Sequence, residues 1–121
     1  MDQNQNIKPY DLGDRTFLFA KKCRELIKLL PITIGNTGDG KQLLRSSGSV
    51  HANFIEFVEG ISKKDSLHRI KICRKEAKES HSWLGLIDTN STRNVTEKLD
   101  YLLNESLELT KIFGAIIEKK K

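Results

Sequence analysis

Gln42-Leu43-Leu44-Arg45-Ser46-Ser47-Gly48-Ser49-Val50-His51-Ala52-Asn53-Phe54-Ile55-Glu56 decides how the rest of the chain is read. Leu43, Ser47, Val50, Phe54, Phe57 and Ile61 recur at alternating steps of four and three, which places them on one face of a helix. Beside that stripe lie Ser46, Ser49, Asn53 and Gly60, compact residues that let a neighbouring helix approach closely. Gly48 is the weak point, because glycine inside a helix costs about 1 kcal/mol relative to alanine. The spacing predicts a helix from near Lys41 to about Ile61.

Working outward, three further segments carry the same periodicity. Leu12, Thr16, Phe19, Cys23, Leu26 and Leu30 mark a helix from about Asp11 to Leu30. Pro31 stops it, since the residue before proline avoids helical angles. Residues 32–40, rich in Gly, Thr and Asn, read as a loop. Ser62-Lys63-Lys64-Asp65 opens the next helix, with Ser62 as N-cap and Asp65 completing a capping box. That helix is expected to run to about Ile87. Its apolar arc holds Ile70, Cys73, Ala77, Leu84 and Ile87, with Ile72 and Trp83 at one side. Asp88-Thr89-Asn90-Ser91 is a turn. The last helix, about Thr92 to Lys119, shows a heptad-like seam of Val95, Leu99, Leu102, Ser106, Leu109, Phe113 and Ile116. No strand pattern is convincing. The expected fold is all-α, an antiparallel up-down-up-down four-helix bundle over residues 11–121, preceded by a flexible polar arm at residues 1–10.

Composition bounds the function. A chain of 121 residues with 37% apolar residues supports one domain and one modest core. The net charge of +5 and pI near 9.3 lean mildly towards an acidic partner such as nucleic acid. Met1-Asp2-Gln3-Asn4-Gln5-Asn6 has no basic segment followed by an apolar run, and no window approaches the ~18 apolar residues of a membrane span. A cytoplasmic location with no membrane contact is expected. Cys23 and Cys73 form no CxxC pair and read as reduced core thiols.

Gly35-Asn36-Thr37-Gly38-Asp39-Gly40-Lys41 fits most of a phosphate-binding P-loop. Gln42 stands where that motif needs Ser or Thr for Mg²⁺, and Ile32-Thr33-Ile34 is too short for the buried strand that must precede it. Glu56 and Glu59, then Glu76 and Glu79, sit at i, i+3, as carboxylate ligands do in di-iron bundles. No Glu-x-x-His accompanies them, and His51, His68 and His81 fall away from such pairs. No Ser/His/Asp or Cys/His set assembles. No catalytic residue, metal or cofactor is therefore expected.

Two features of the third helix remain. Glu76 lies within the apolar arc, in one stripe with Arg69 and Trp83. A buried carboxylate needs a cationic partner, and Arg15, Arg45 and Arg69 are the candidates. Together with Asn53 these residues form an expected structural polar network that fixes helix register. The opposite face carries Lys71, Arg74, Lys75 and Lys78 at i, i+3, i+4 and i+7, one basic strip that no acid interrupts. Such a strip is either an ordinary solvated face or a nucleic-acid-binding one.

Several segments carry a resemblance to a bacterial family, the four-helix bundle proteins encoded in 23S rRNA intervening sequences. In the first helix they are Asp11-Leu12, Arg15-Thr16 and Phe19-Ala20. In the second they are Gln42-Leu43-Leu44-Arg45-Ser46, Ser49-Val50 and Ala52-Asn53. In the third they are Ser62-Lys63-Lys64-Asp65, the run from Arg69 to Ser80, and Trp83-Leu84. The resemblance implies antiparallel bundles that assemble as rings of five subunits, with no settled biochemical activity. A similar bundle is the accessory variability protein of diversity-generating retroelements, which binds nucleic acid and a reverse transcriptase through basic surfaces. Ser66 and Ser82 depart from the pattern where aromatic residues are usual, and Gly48 and Phe57 also look atypical. The expectation is a homopentamer that binds RNA or DNA through Lys71, Arg74, Lys75 and Lys78. The alternative is a scaffold whose strip docks an acidic protein such as a reverse transcriptase.

Overall fold

Asp11 and Asp14 put carboxylates in the first turn of α1 (Asp11–Leu29), and Lys28 puts a cation in its last turn. Both placements suit the helix dipole. The computed structural model describes residues 11–121, and the arm expected over residues 1–10 lies outside the described residues. Leu12, Phe19, Cys23 and Leu26 of α1 are buried, as their spacing predicts.

The second helix, α2 (Ile34–Val58), begins earlier than the sequence suggests. The Gly-rich run read as a loop forms its first turns. Thr33 is the N-cap, and its Oγ1 accepts from the Asn36 N–H at 3.0 Å. Asn36 is itself buried. Its Nδ2 donates to Pro31 O at 3.0 Å and to Asp88 O at 2.8 Å, while its Oδ1 accepts from the Asp88 N–H at 3.0 Å. One amide thus ties the turn before α2 to the turn after the third helix. Gly40 is buried where a Cβ would meet Ile27 at 3.6 Å. At the other end the stripe closes on half-buried Phe57, and Ile61 lies past the helix and is 97% exposed.

Ser62 caps α3 (Lys63–Leu86), its Oγ accepting from the Asp65 N–H at 3.0 Å. The turn that follows places Asn90 and Ser91 in the left-handed region, at φ 56 and 60. Asp88 Oδ1 holds it by accepting from the Asn90 N–H. α4 (Arg93–Lys120) buries Val95, Leu99, Leu102, Ser106, Leu109 and Phe113 as expected, with Ile117 rather than Ile116 at the last core position.

Each helix packs on its sequence neighbours, and α1 also packs on α4, closing a four-helix bundle. The backbones of the diagonal pairs α1–α3 and α2–α4 stay apart among the described residues, and α2 and α4 meet only through side chains such as Phe54 and Phe113, 6.4 Å between ring centroids. Thr16 reaches His51 while Arg24 reaches Ser47. Arg69 reaches Asn53 while Ser80 reaches Ser46. His81 reaches Ser106 while Arg74 lies at Gly114. Arg15 reaches Glu105 while Lys22 lies over Tyr101. In every pair one numbering rises as the other falls, so neighbouring helices are antiparallel. Phe19, Phe54, Phe113, Leu43, Ile70 and Leu109 fill the centre. Each such side chain contributes about 1.5–3 kcal/mol on leaving water. Polar residues thread this core: Ser46 and Ser80, both fully buried, share a 2.8 Å hydrogen bond between α2 and α3.

Candidate functional site

The charges of α3 are sorted by direction. Glu76 and Glu79 turn towards α2. Glu76 Oε1 accepts from Arg45 Nη1 at 3.4 Å, and Glu79 Oε1 accepts from Arg45 Nη2 at 3.2 Å. Arg69 also turns towards α2, whereas the four bases of the strip turn outward and, at Arg74, towards α4. Lys71, Lys75 and Lys78 are exposed. Arg74 is half-buried, its Cδ lying over the backbone of Gly114, where an added Cβ would touch it at 4.0 Å. Among the described residues none of these four cations forms an ion pair. Exposed Lys64 and His68 continue the face towards the start of α3. From Lys64 to Lys78 the helix rises about 21 Å.

The expected polar network divides into separate contacts. Of the three arginines considered for Glu76, Arg45 is the one beside it. Arg15 does not join this group, because α1 and α3 are diagonal. Arg15 instead makes a bidentate pair with Glu105 of α4, Nε to Oε2 at 2.7 Å and Nη2 to Oε1 at 2.8 Å. That pairing raises the guanidinium pKa from its ordinary value. Arg69 Nη1 donates to Asn53 Oδ1 at 3.1 Å. Trp83 packs against the core. Among the described residues Arg69 Nε and Trp83 Nε1 are buried donors without an acceptor.

Among the polar contacts that escape the sequence reading are Glu105 with Arg15, His81 with Ser106, and His51 with Thr16. His81 Nδ1 lies 2.9 Å from Ser106 Oγ, which donates to Leu103 O at 2.8 Å. A serine on the apolar seam of α4 was the available signal for that contact. The Arg15–Glu105 pair carries no local signal, since its members are 90 residues apart.

Burial pushes the Cys23 and Cys73 thiols up to about 12, so neither supplies a thiolate near neutral pH. Among the described residues no group of three or more His, Cys, Asp or Glu side chains is placed to hold a metal ion. The P-loop-like run is helical, so its backbone N–H groups do not cradle a phosphate as that motif requires. No helix of the described residues is long and apolar enough to cross a membrane.

Comparison with known proteins adds the following. The family model for 23S rRNA-intervening sequence proteins matches residues 10–115. No curated protein matches the chain. Among solved structures, the chain is similar to a protein of unknown function from the S23 ribosomal protein family of Bacteroides thetaiotaomicron VPI-5482. The TM-score is 0.77 at 30% identity, covering 93% of this chain and 99% of the other.

Proposed function

The chain belongs to the 23S rRNA-intervening sequence protein family, and on that premise we propose that it is a non-enzymatic, cytoplasmic, homo-oligomeric bundle that binds nucleic acid through Lys71, Arg74, Lys75 and Lys78. The observation that carries the reading is that, among the described residues, those four cations have no ion-pair partner, while Arg45 and Arg15 have carboxylate partners. Cations without internal partners are free to neutralise phosphates, and a helix face presents them in line with a backbone. Assembly, expected as a pentamer, draws support from exposed apolar side chains at both ends of the bundle. Ile32, Ile34 and Leu86 lie at one end, and Val58 and Ile61 at the other. Free buried thiols fit a reducing compartment.

The test is a salt titration of RNA and DNA affinity, for the natural chain and for Lys71→Gln/Arg74→Gln/Lys75→Gln/Lys78→Gln. Each phosphate contact adds about 0.7–0.9 to the slope of log affinity against log salt. The variant is expected to lose roughly 3 units of slope and most of its affinity at low salt. Unchanged affinity and slope would remove the strip from any nucleic-acid role. Capture of one specific protein through the strip, surviving nuclease treatment, would favour the scaffold in its place. Light scattering with absorbance at two wavelengths reads the assembly, and a monomer would exclude it.

A further inference from the structure

In the ring of helices, the α1–α2 seam lies opposite the seam between α3 and α4, where Arg74 sits. There α1 and α2 leave a groove of about 460 Å³. Sites for small ligands span roughly 300–1,000 Å³. Phe17 lines the groove and is 52% exposed, an aromatic ring the core does not use. The Phe17 and His51 rings stand nearly perpendicular, 72° between planes and 5.5 Å between centroids. Lys21, Arg24 and Lys28 line the same groove, against the single carboxylate of Glu25.

Arg24 is the held cation of the group. Gly48 makes room for it, since a Cβ there would sit 3.0 Å from Nη2. Arg24 Nη1 donates to Ala20 O at 3.0 Å and to Ser47 Oγ at 3.4 Å, and Nη2 donates to Leu44 O at 3.4 Å. These acceptors are neutral, so the guanidinium is oriented without its charge being spent. Among the described residues it has no carboxylate partner. His51 supplies the opposite polarity. Thr16 Oγ1 lies 3.1 Å from Gly13 O, to which it can donate, and 3.0 Å from His51 Nδ1. With the Thr16 proton directed to Gly13 O, the ring proton sits on Nδ1 and Nε2 is left as an acceptor. Burial lowers the pKa of His51 from its ordinary 6.5, which keeps it in this neutral form.

An exposed aromatic face, three cations and one neutral acceptor together match the parts of a nucleotide. We propose that the groove takes one nucleotide of a single-stranded nucleic acid, with its base against Phe17 and its phosphate among Lys21, Arg24 and Lys28. His51 Nε2 accepts from a sugar hydroxyl or an exocyclic amine. The inference rests on the nucleic-acid reading above and adds a second, strand-selective site to it. A base locked in a duplex cannot turn its face to Phe17, whereas an unpaired one can.

The experiment is fluorescence anisotropy with end-labelled single-stranded RNA, single-stranded DNA and duplex RNA of equal length. Phe17, Lys21 and Lys28 are exposed, so Phe17→Ala/Lys21→Gln/Lys28→Gln leaves the fold intact. It is expected to lose at least about fivefold in affinity for a single strand, the low end of base–aromatic stacking, and less than about twofold for the duplex. Loss with either single strand supports the site, and the larger loss names the sugar it takes. Unchanged single-strand binding, equal loss from single strand and duplex, or no binding by the natural chain overturns it. The strip variant Lys71→Gln/Arg74→Gln/Lys75→Gln/Lys78→Gln in the same assay separates the two readings. Normal binding by that variant, with loss in the groove variant, removes the strip and keeps the groove.

Discussion

Ser46 and Ser80 are fully buried hydroxyls that hydrogen-bond each other across the α2–α3 seam, with only a long 3.5 Å bond from Ser46 Oγ to Leu43 O beside it. Removing one leaves its partner without that bond in a dry core, which costs about 1–2 kcal/mol. Removing both leaves no orphan. Ser46→Ala/Ser80→Ala is therefore expected to cost little more than either single change, measured by urea unfolding as a double-mutant cycle. Costs that simply add would show that the two hydroxyls are not coupled. The same scale shows what a sequence conveys about partners. Helical spacing puts Glu76 on a buried stripe, and burial demands a cation for it. Choosing Arg45 over Arg15 needs the knowledge that α1 and α3 sit on a diagonal. The pairing of Arg15 with Glu105 across 90 residues is likewise a property of packing, with nothing local to announce it.

The helices were legible wherever a boundary is written in local chemistry. Pro31 ends α1, and Ser62 with Asp65 begins α3, because proline geometry and N-cap hydrogen bonds act over a few residues. The start of α2 was illegible for the complementary reason. Three glycines in six residues argue for a loop, and what overrides them is Asn36 bonded to Asp88, 52 residues away. The basic strip of α3 was readable from spacing alone, while the absence of internal partners for it was not. One element keeps a local conflict. Ser91 stands in the left-handed region at φ 60, which an L-residue with a Cβ resists by about 1–2 kcal/mol. Glycine relieves that strain and gives part of the gain back through a more flexible unfolded chain. Ser91→Gly is expected to raise stability by about 0.5–1 kcal/mol in thermal or urea unfolding. A loss would mean that the Ser91 side chain has a role in the turn. Asn90→Gly should be nearly neutral, since asparagine tolerates this region.

Across the whole molecule, charge is distributed at some cost to the fold. Lys71–Arg74, Lys71–Lys75, Arg74–Lys78 and Lys75–Lys78 are like-charged pairs at helical contact spacing. Each costs about 0.2–0.5 kcal/mol. Neutralising all four residues is expected to make the free protein more stable by about 1 kcal/mol at low salt, with the gain shrinking as salt rises. Thermal melts at two ionic strengths check this, and a destabilised variant would mean that the strip serves packing. At one end of the bundle, the tie made by Asn36 between the two turns has a consequence for rates. Its partners Pro31 and Asp88 lie 57 residues apart, and a contact that closes so long a loop is expected to form late, after the transition state. Asn36→Ala should then raise the unfolding arm of a stopped-flow chevron by about tenfold or more and leave the folding arm in place. A slowed folding arm would put the tie in the nucleus. On the expected outcome, the bundle would assemble as fast without this amide and come apart much sooner, so a single side chain sets the lifetime of the folded state.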